Sequence, residues 1–323
     1  MPPSKSLSPL LALAGATMTI AQPTHVLDTD FPDPAVLRTD SGYYAFGTGS
    51  NGVNVQIAHS PDFVSWSLLD GTDGLSGPFP GWVQGDSPLV WAPDVVQLDD
   101  GTFVMYFSAL SSSDNSKHCL GTATSVTITG PYTPTETSFA CPLDLGGAID
   151  ASGFTDADGS RYVVYKVDGN SLNNDGTMHS TPIMLQKVQN DGITPDGEAI
   201  QILDRDPNGA DGPLVEAPSL VLVDGIYYLM FSSGMYSDPS YDASYATAAS
   251  ITGPYTKAQA PDAPLLVSGD AGSSGPLGGP GGADFLDGHK MVFHAFNDGR
   301  SIESGRGMWV VDMQVGGGKI TLL

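Results

Sequence analysis

Pro213-Leu214-Val215-Glu216-Ala217-Pro218-Ser219 opens a run that continues as Leu220-Val221-Leu222-Val223, turns at Asp224-Gly225, and resumes from Ile226 to Phe231. Two β-rich runs joined by Asp-Gly are a hairpin signature. A glutamate packed among Leu, Val, Ala and Pro loses hydration, and desolvation favours the protonated carboxyl, so Glu216 is a candidate acid. The same frame returns four more times. It appears as Asp33-Pro34-Ala35-Val36 before Asp40-Ser41-Gly42, and as Trp91-Ala92-Pro93-Asp94 before Asp99-Asp100-Gly101. It appears again as Ile149-Asp150-Ala151-Ser152 before Asp156-Ala157-Asp158-Gly159, and as Gly279-Pro280-Gly281-Gly282 before Asp287-Gly288.

The flanks of the hairpins repeat too. Ile128-Thr129-Gly130-Pro131-Tyr132-Thr133 returns as Ile251-Thr252-Gly253-Pro254-Tyr255-Thr256, and Ile57 to Phe63 with Trp66 reads as the matching outer strand of the first copy. Units roughly sixty residues long, each with about four strands and two faces to cover, are what a β-propeller is built from. The expectation is an all-β, single-domain, five-bladed propeller over 22–323; a β-sandwich does not explain repeats of this length. In a propeller the innermost strands converge on one axis. Counting back nine residues from Gly42, Gly159 and Gly225 lands on Asp33, Asp150 and Glu216, so three carboxylates are expected in one pocket. The related places in the second and fifth copies hold Trp91-Ala92 and Gly279.

Composition narrows the partners. The chain has 36 acidic residues against 12 Lys plus Arg, a net charge of −24, and such a field repels nucleic acid. With 40 Gly and 25 Pro, tight turns are favoured over long helices. Residues 1–21 read as a secretory leader: Lys5, the apolar run Leu7 to Ala14, and the small-residue exit Thr19-Ile20-Ala21. No other run reaches the length of a membrane span, so a secreted, extracellular monomer is expected. Cys119 and Cys141 then read as one disulfide.

Like charges crowded in one cavity raise one another's pKa. Carboxylates so far apart in sequence suit proton transfer better than a Ca²⁺ loop. Two carboxyl groups flanking a sugar can protonate the leaving oxygen and activate a water. Phe31-Pro32-Asp33-Pro34, Trp91-Ala92-Pro93-Asp94-Val95, Ile149 to Phe154 with Asp156 to Gly159, and Glu216-Ala217-Pro218-Ser219, in this order, resemble glycoside hydrolase family 43. The resemblance spans nearly the whole chain after the leader. It implies an inverting five-bladed propeller acting on α-L-arabinofuranosides or β-D-xylosides of plant cell walls, with Asp33 as general base, Glu216 as general acid and Asp150 orienting the acid and keeping its pKa raised. It also implies that Arg306 reaches the sugar and that Trp91 walls the pocket.

The chemistry needs no cofactor. Many members carry Gly-Pro-Gly-His in the fifth blade, where the His helps hold a cation, whereas this chain has Gly279-Pro280-Gly281-Gly282. His294 on the next strand is the substitute, for substrate or for a structural Ca²⁺ in the central channel. Asp156 to Gly159 reads as a hairpin turn rather than a calcium loop. The chain ends directly after the fifth blade, and the insertion from Lys166 to Ile183 looks like that of arabinose-releasing relatives, which favours arabinan or arabinosyl side chains over xylosides. Loops at 76–87, 111–118 and 170–180 are expected to set pocket against groove. A β-D-xylosidase of the same family is the alternative substrate reading. A non-catalytic sugar-binding propeller is the alternative class, and the fructan-cleaving propellers, faintly suggested by Arg205-Asp206-Pro207, are the retaining one.

Overall fold

The computed structural model describes residues 22–209 and 211–323, so the leader read at 1–21 lies outside the described residues. Four antiparallel sheets follow one another in chain order, each of four strands. They run from Ala35–Thr39 to Ser67–Leu68, from Trp91–Gln97 to Thr133–Pro134, from Ala148–Thr155 to Ile200–Leu203, and from Val215–Val223 to Thr256–Lys257. These are blades one to four. Blade five is Gly281–Leu286, Lys290–Phe296 and Arg306–Gly316, and its outer strand is Thr24–Leu27, from the other end of the chain. Lys319–Leu322 folds back on Arg306–Gly316. The protein is a single-domain, five-bladed β-propeller closed by pairing its two ends. Nothing in the repeat pattern points to that closing strand.

The hydrophobic core is divided among the seams between blades. Phe46 and Ile57 of blade one pack on Val95, Met105 and Phe107 of blade two. Tyr228, Met230 and Tyr245 of blade four pack on Phe285, Phe293 and Trp309 of blade five. The closing seam joins Leu27, Phe31 and Val36 to Val292, Met308 and Val310. A blade therefore needs apolar residues on both faces. That is why Phe103–Leu110 is buried at every position rather than alternating. The two Ile-Thr-Gly-Pro-Tyr-Thr segments play one part twice: each turns through a cis Gly-Pro and lays down a fourth strand, Thr133–Pro134 or Thr256–Lys257. The Cys119–Cys141 disulfide is formed, with its Cα atoms 4.6 Å apart.

At the axial start of every inner strand one residue takes a left-handed conformation: Asp33 at φ 53°, Ala92 at 40°, Asp150 at 58°, Ala217 at 50° and Gly282 at 56°. In blades two to five the register shifts at this point. This corrects the count from the turn glycines. It is right for Asp33 and Asp150, but Gly225 and Gly288 follow Ala217 and Gly282 by only eight and six residues, because the hairpins of blades four and five are shorter. Glu216 therefore sits one residue before the position of the two aspartates, paired with Ser232, and the counterpart in blade five is Gly282 rather than Gly279.

A left-handed non-glycine residue costs about 1–2 kcal/mol, and a hydrogen bond between neighbouring blades offsets it. The amide of Ala92 donates to Thr48 Oγ1 (2.8 Å), that of Asp150 to Ser108 Oγ (3.2 Å), that of Gly282 to Ser232 Oγ (2.9 Å) and that of Asp33 to His294 Nδ1 (3.0 Å). Each acceptor stands on the second strand of the preceding blade or, for Thr48, directly after it. The seam between blades three and four departs from this rule: the acceptor's place, opposite Ile149, is held by Lys166, and the Ala217 amide donates to Asp150 Oδ2 instead (3.0 Å).

One step further along the axis a second set of bonds joins the blades. Gly153 N–H donates to Asp94 Oδ2 (2.7 Å) and Val36 N–H to Asp284 Oδ2 (2.8 Å), while Ser219 donates to Asp284 Oδ1 (2.6 Å). Burial, reinforced by the charge of Asp284, pushes the Asp94 carboxyl above its ordinary range. An acid with a raised folded pKa costs nothing below its unfolded pKa near 4 and increasingly destabilises as pH rises from there towards the folded value. Asp94→Asn is therefore expected to melt at a higher temperature than the wild type at pH 7, with the gain vanishing below about pH 4. Thermal unfolding across that range checks it.

Candidate active site

Above these rings lies a cavity of about 300 Å³ lined by Asp33, Asp150 and Glu216 together with Trp91, Tyr241 and Arg306. Blades one, three and four each contribute one of the three carboxylates, so the convergence expected of the sequence is met. Asp33 and Asp150 also border a smaller space on the axis beneath, which puts them on the cavity floor.

Asp33 is held by three neighbours. Its Oδ1 lies 3.2 Å from Arg306 Nη1 and 3.3 Å from His294 Nδ1, and its Oδ2 accepts from Thr48 Oγ1 at 2.6 Å. Burial by itself pushes this carboxyl up, but the Arg306 guanidinium and the Thr48 hydrogen bond hold it well below the usual carboxylate range. His294 Nδ1 cannot accept the Asp33 amide and donate to Asp33 Oδ1 at once. Burial pulls the His294 pKa down, so the ring is neutral, Nδ1 is the acceptor, and Arg306 is the cation that keeps Asp33 ionised. Chain closure makes this pair: Phe31 N–H donates to Arg306 O (2.7 Å) and Arg306 N–H to Asp30 Oδ1 (2.8 Å).

Glu216 is buried and doubly bonded. Tyr241 Oη donates to Oε1 (2.9 Å) and Lys166 Nζ to Oε2 (2.7 Å). Lys166, fully buried, also lies 2.9 Å from Asp168 Oδ1, but off line, so that Asp168 Oδ1 is left with no hydrogen bond. Burial pulls the Lys166 pKa down, yet the charges of Glu216, Asp168 and Asp150 outweigh it and keep the ammonium protonated. Asp150 is shifted the opposite way from Asp33. Burial and then the Glu216 charge push it well above its ordinary value, against the pull of Lys166. The site thus sets an aspartate fixed in the ionised state against a second, Asp150 beside Glu216, that holds its proton.

The walls come from side chains that flank the carboxylates. Trp91 is 38% exposed and stacks on His118, with ring centroids 3.6 Å apart. His118 is buried, its pKa lowered to about 4 by burial, and its Nε2 donates to Leu89 O (3.0 Å). On the far side Arg306 lies under the Tyr236 ring, 4.9 Å from its centroid. Of the three loops expected around the mouth, those at 111–118 and 170–180 contribute Ser116, His118, Asn170 and Ser171. The loop at 76–87 does not; its Trp82 stacks inward on Phe107, and Met235 and Tyr236 form the remaining wall. Asp156 to Gly159 is a hairpin turn, closed by Gly159 N–H to Asp156 O (2.9 Å).

His294 is the residue the structure moves out of its expected role. It is fully buried behind Asp33 and does not line the cavity. Its Nδ1 accepts the Asp33 amide, which puts the proton of the neutral ring on Nε2. Among the described residues no group of three or more His, Cys, Asp or Glu side chains is arranged to hold a metal ion. Thr48, His118, Lys166, Asp168, Tyr236 and Tyr241 are the site residues that sequence reasoning gave no role. Lys166 alone left a signal, a lysine inside Val163-Val164-Tyr165-Lys166-Val167, since a lysine is almost never fully buried without a counter-charge.

The sequence profile of glycosyl hydrolases family 43 matches residues 23–316. The chain is 28% identical over 278 residues to extracellular endo-α-(1→5)-L-arabinanase 1 of Bacillus subtilis, covering 82% of this chain and 80% of that one. It is 29% identical to a β-xylosidase of the same organism, of which it spans 42%. Among solved structures it is similar to a thermostable family-43 glycoside hydrolase, with a TM-score of 0.78, 23% identity and 94% and 96% of the two chains covered. It is also similar to an endo-1,4-β-xylanase of Bacteroides thetaiotaomicron, with a TM-score of 0.72, 26% identity and 93% and 97% covered.

If Arg306 is what keeps Asp33 ionised, Arg306→Gln should raise the Asp33 titration midpoint by roughly 1–3 pH units. Carbon-13 NMR of the aspartate carboxyls reads this directly, and an unmoved Asp33 resonance contradicts the assignment.

Proposed function

Because the chain belongs to the glycosyl hydrolases of family 43, we propose that it is a secreted, monomeric hydrolase of α-L-arabinofuranosidic bonds in arabinan or in arabinosyl side chains of plant cell walls. The observation that carries this reading is the opposite electrostatic treatment of acids that share one cavity. Asp33 is kept ionised by Arg306, while Asp150, beside Glu216, holds its proton. Groups pushed apart in this way take the base and acid roles of glycoside hydrolysis.

In the proposed reaction Asp33 takes a proton from a water as that water attacks the anomeric carbon. Glu216 gives its proton to the departing glycosidic oxygen as the C–O bond breaks, and the anomeric configuration inverts. Asp150, whose Oδ2 accepts the Ala217 amide next to Glu216, orients the acid. Trp91 offers an exposed ring for a sugar face, and Arg306 is placed to meet a hydroxyl while it holds Asp33. The arabinoside preference rests on the relative similar over most of both chains, an endo-arabinanase; the similar xylosidase is matched over less than half its own length.

The wild type is expected to cleave an aryl α-L-arabinofuranoside and debranched arabinan in preference to an aryl β-D-xyloside. A clear preference for the xyloside overturns the substrate reading. Glu216→Gln should lower turnover by ~10²-fold or more while sugar binding survives; undiminished turnover removes Glu216 from the acid role. Since Asp33 stays ionised as pH falls, kcat/KM should hold steady through pH 4–5, where an ordinary carboxylate base begins to protonate, and should decline on the alkaline side as the Asp150–Glu216 pair loses its proton.

A further inference from the structure

The five positions, on a second strand or directly after it, that face the left-handed residue of the next blade are Thr48, Ser108, Lys166, Ser232 and His294. In four of them a neutral oxygen or nitrogen accepts the next blade's amide. Lys166 has only donors and cannot do so. The exception has two consequences. The Ala217 amide is left to Asp150 Oδ2 (3.0 Å), which ties that carboxylate to the strand carrying Glu216. It also places a full positive charge 2.7 Å from Glu216 Oε2 and 2.9 Å from Asp168 Oδ1, with no part of the lysine exposed. Fold maintenance does not call for a cation there, because a serine serves the same position in the two neighbouring blades.

We propose that Lys166 is a positioning residue of the reaction, which together with Asp168 sets the pH at which the Asp150–Glu216 pair gives up its proton. Glu216 receives the ammonium's in-line hydrogen bond, and Asp168 receives its charge without a hydrogen bond. Lys166 favours the ionised pair, Asp168 opposes it, and the balance between them fixes the alkaline limit of activity. The other groups facing this cluster keep fixed charge states. Asp33 is ionised against Arg306 on the blade-one side, Tyr241 is a neutral donor held protonated by burial, and His118 and His294 are neutral rings. The inference rests on the reading of Glu216 as the acid and deepens it.

The test compares kcat/KM against pH for wild type, Lys166→Met and Asp168→Asn on whichever aryl glycoside the wild type turns over. Removing the cation should raise the alkaline limb by roughly one unit or more, and removing the Asp168 charge should lower it. Opposite shifts support the proposal. Shifts in one direction, or unmoved limbs with reduced kcat in variants that keep the wild-type circular dichroism, overturn it. Lys166→Arg, which retains the charge, should leave the limb near its wild-type position. Should Lys166→Met not fold, Asp168→Asn decides by itself: a lowered limb supports the proposal, and an unmoved or raised limb overturns it. Failure of the underlying acid assignment is separately visible as undiminished turnover of Glu216→Gln.

Discussion

The amide of a single left-handed residue at the start of each inner strand, and the side chain it meets on the blade before, is the interaction on which the rest depends. It fixes where every inner strand begins relative to its neighbour. The strained conformation aims Asp33 and Asp150 at the axis rather than along a sheet face, and aspartate tolerates that conformation better than most residues. Beneath it the second set of bonds, through Asp94, Ser219 and Asp284, repeats the linkage and leaves buried acids on the axis. The seams hold the blades side by side through apolar packing, while the polar rings set their register.

Function enters where the rule is bent. At the closing seam the acceptor is a histidine rather than a hydroxyl, and it lies behind Asp33 as a neutral support while Arg306 supplies the charge. At the seam between blades three and four the acceptor is replaced by Lys166, whose ammonium Glu216 and Asp168 share while Asp150 beside them is pushed towards its protonated form. The first departure fixes an anion and the second keeps a proton available, which are the two states that hydrolysis of a glycosidic bond requires.

Much of this was legible in the residues and some was not. Repeated Asp-Gly hairpins and the duplicated Ile-Thr-Gly-Pro-Tyr-Thr segments are local signals, and they carry the blade count and the gathering of Asp33, Asp150 and Glu216. The offset of Glu216 by one residue is hidden because hairpin length differs between blades while the count assumes it constant. Closure by Thr24–Leu27 is hidden because a four-residue strand pairing with Arg306–Gly316 has no neighbour in sequence. His294 reads as a pocket residue on the strand after Gly279 to Gly282, but the register of that strand puts its ring behind Asp33, where it takes the Asp33 amide. Tyr241 and Thr48 are ordinary loop residues, and only the fold of their own blades, which brings them to Glu216 and Asp33, gives them a part in the site.

The central claim is that carboxylates from separate blades act on one sugar ring, with Asp33 on the water side and Glu216 on the leaving-group side. A crystal structure of Glu216→Gln soaked with a short α-1,5-arabino-oligosaccharide tests it most directly. The predicted result is a furanose on the cavity floor, its anomeric carbon between Asp33 and the substituted side chain, with a water bonded to Asp33 and the glycosidic oxygen within reach of the introduced carboxamide. A sugar bound away from these side chains, or with both of them on the same face of the ring, would contradict it.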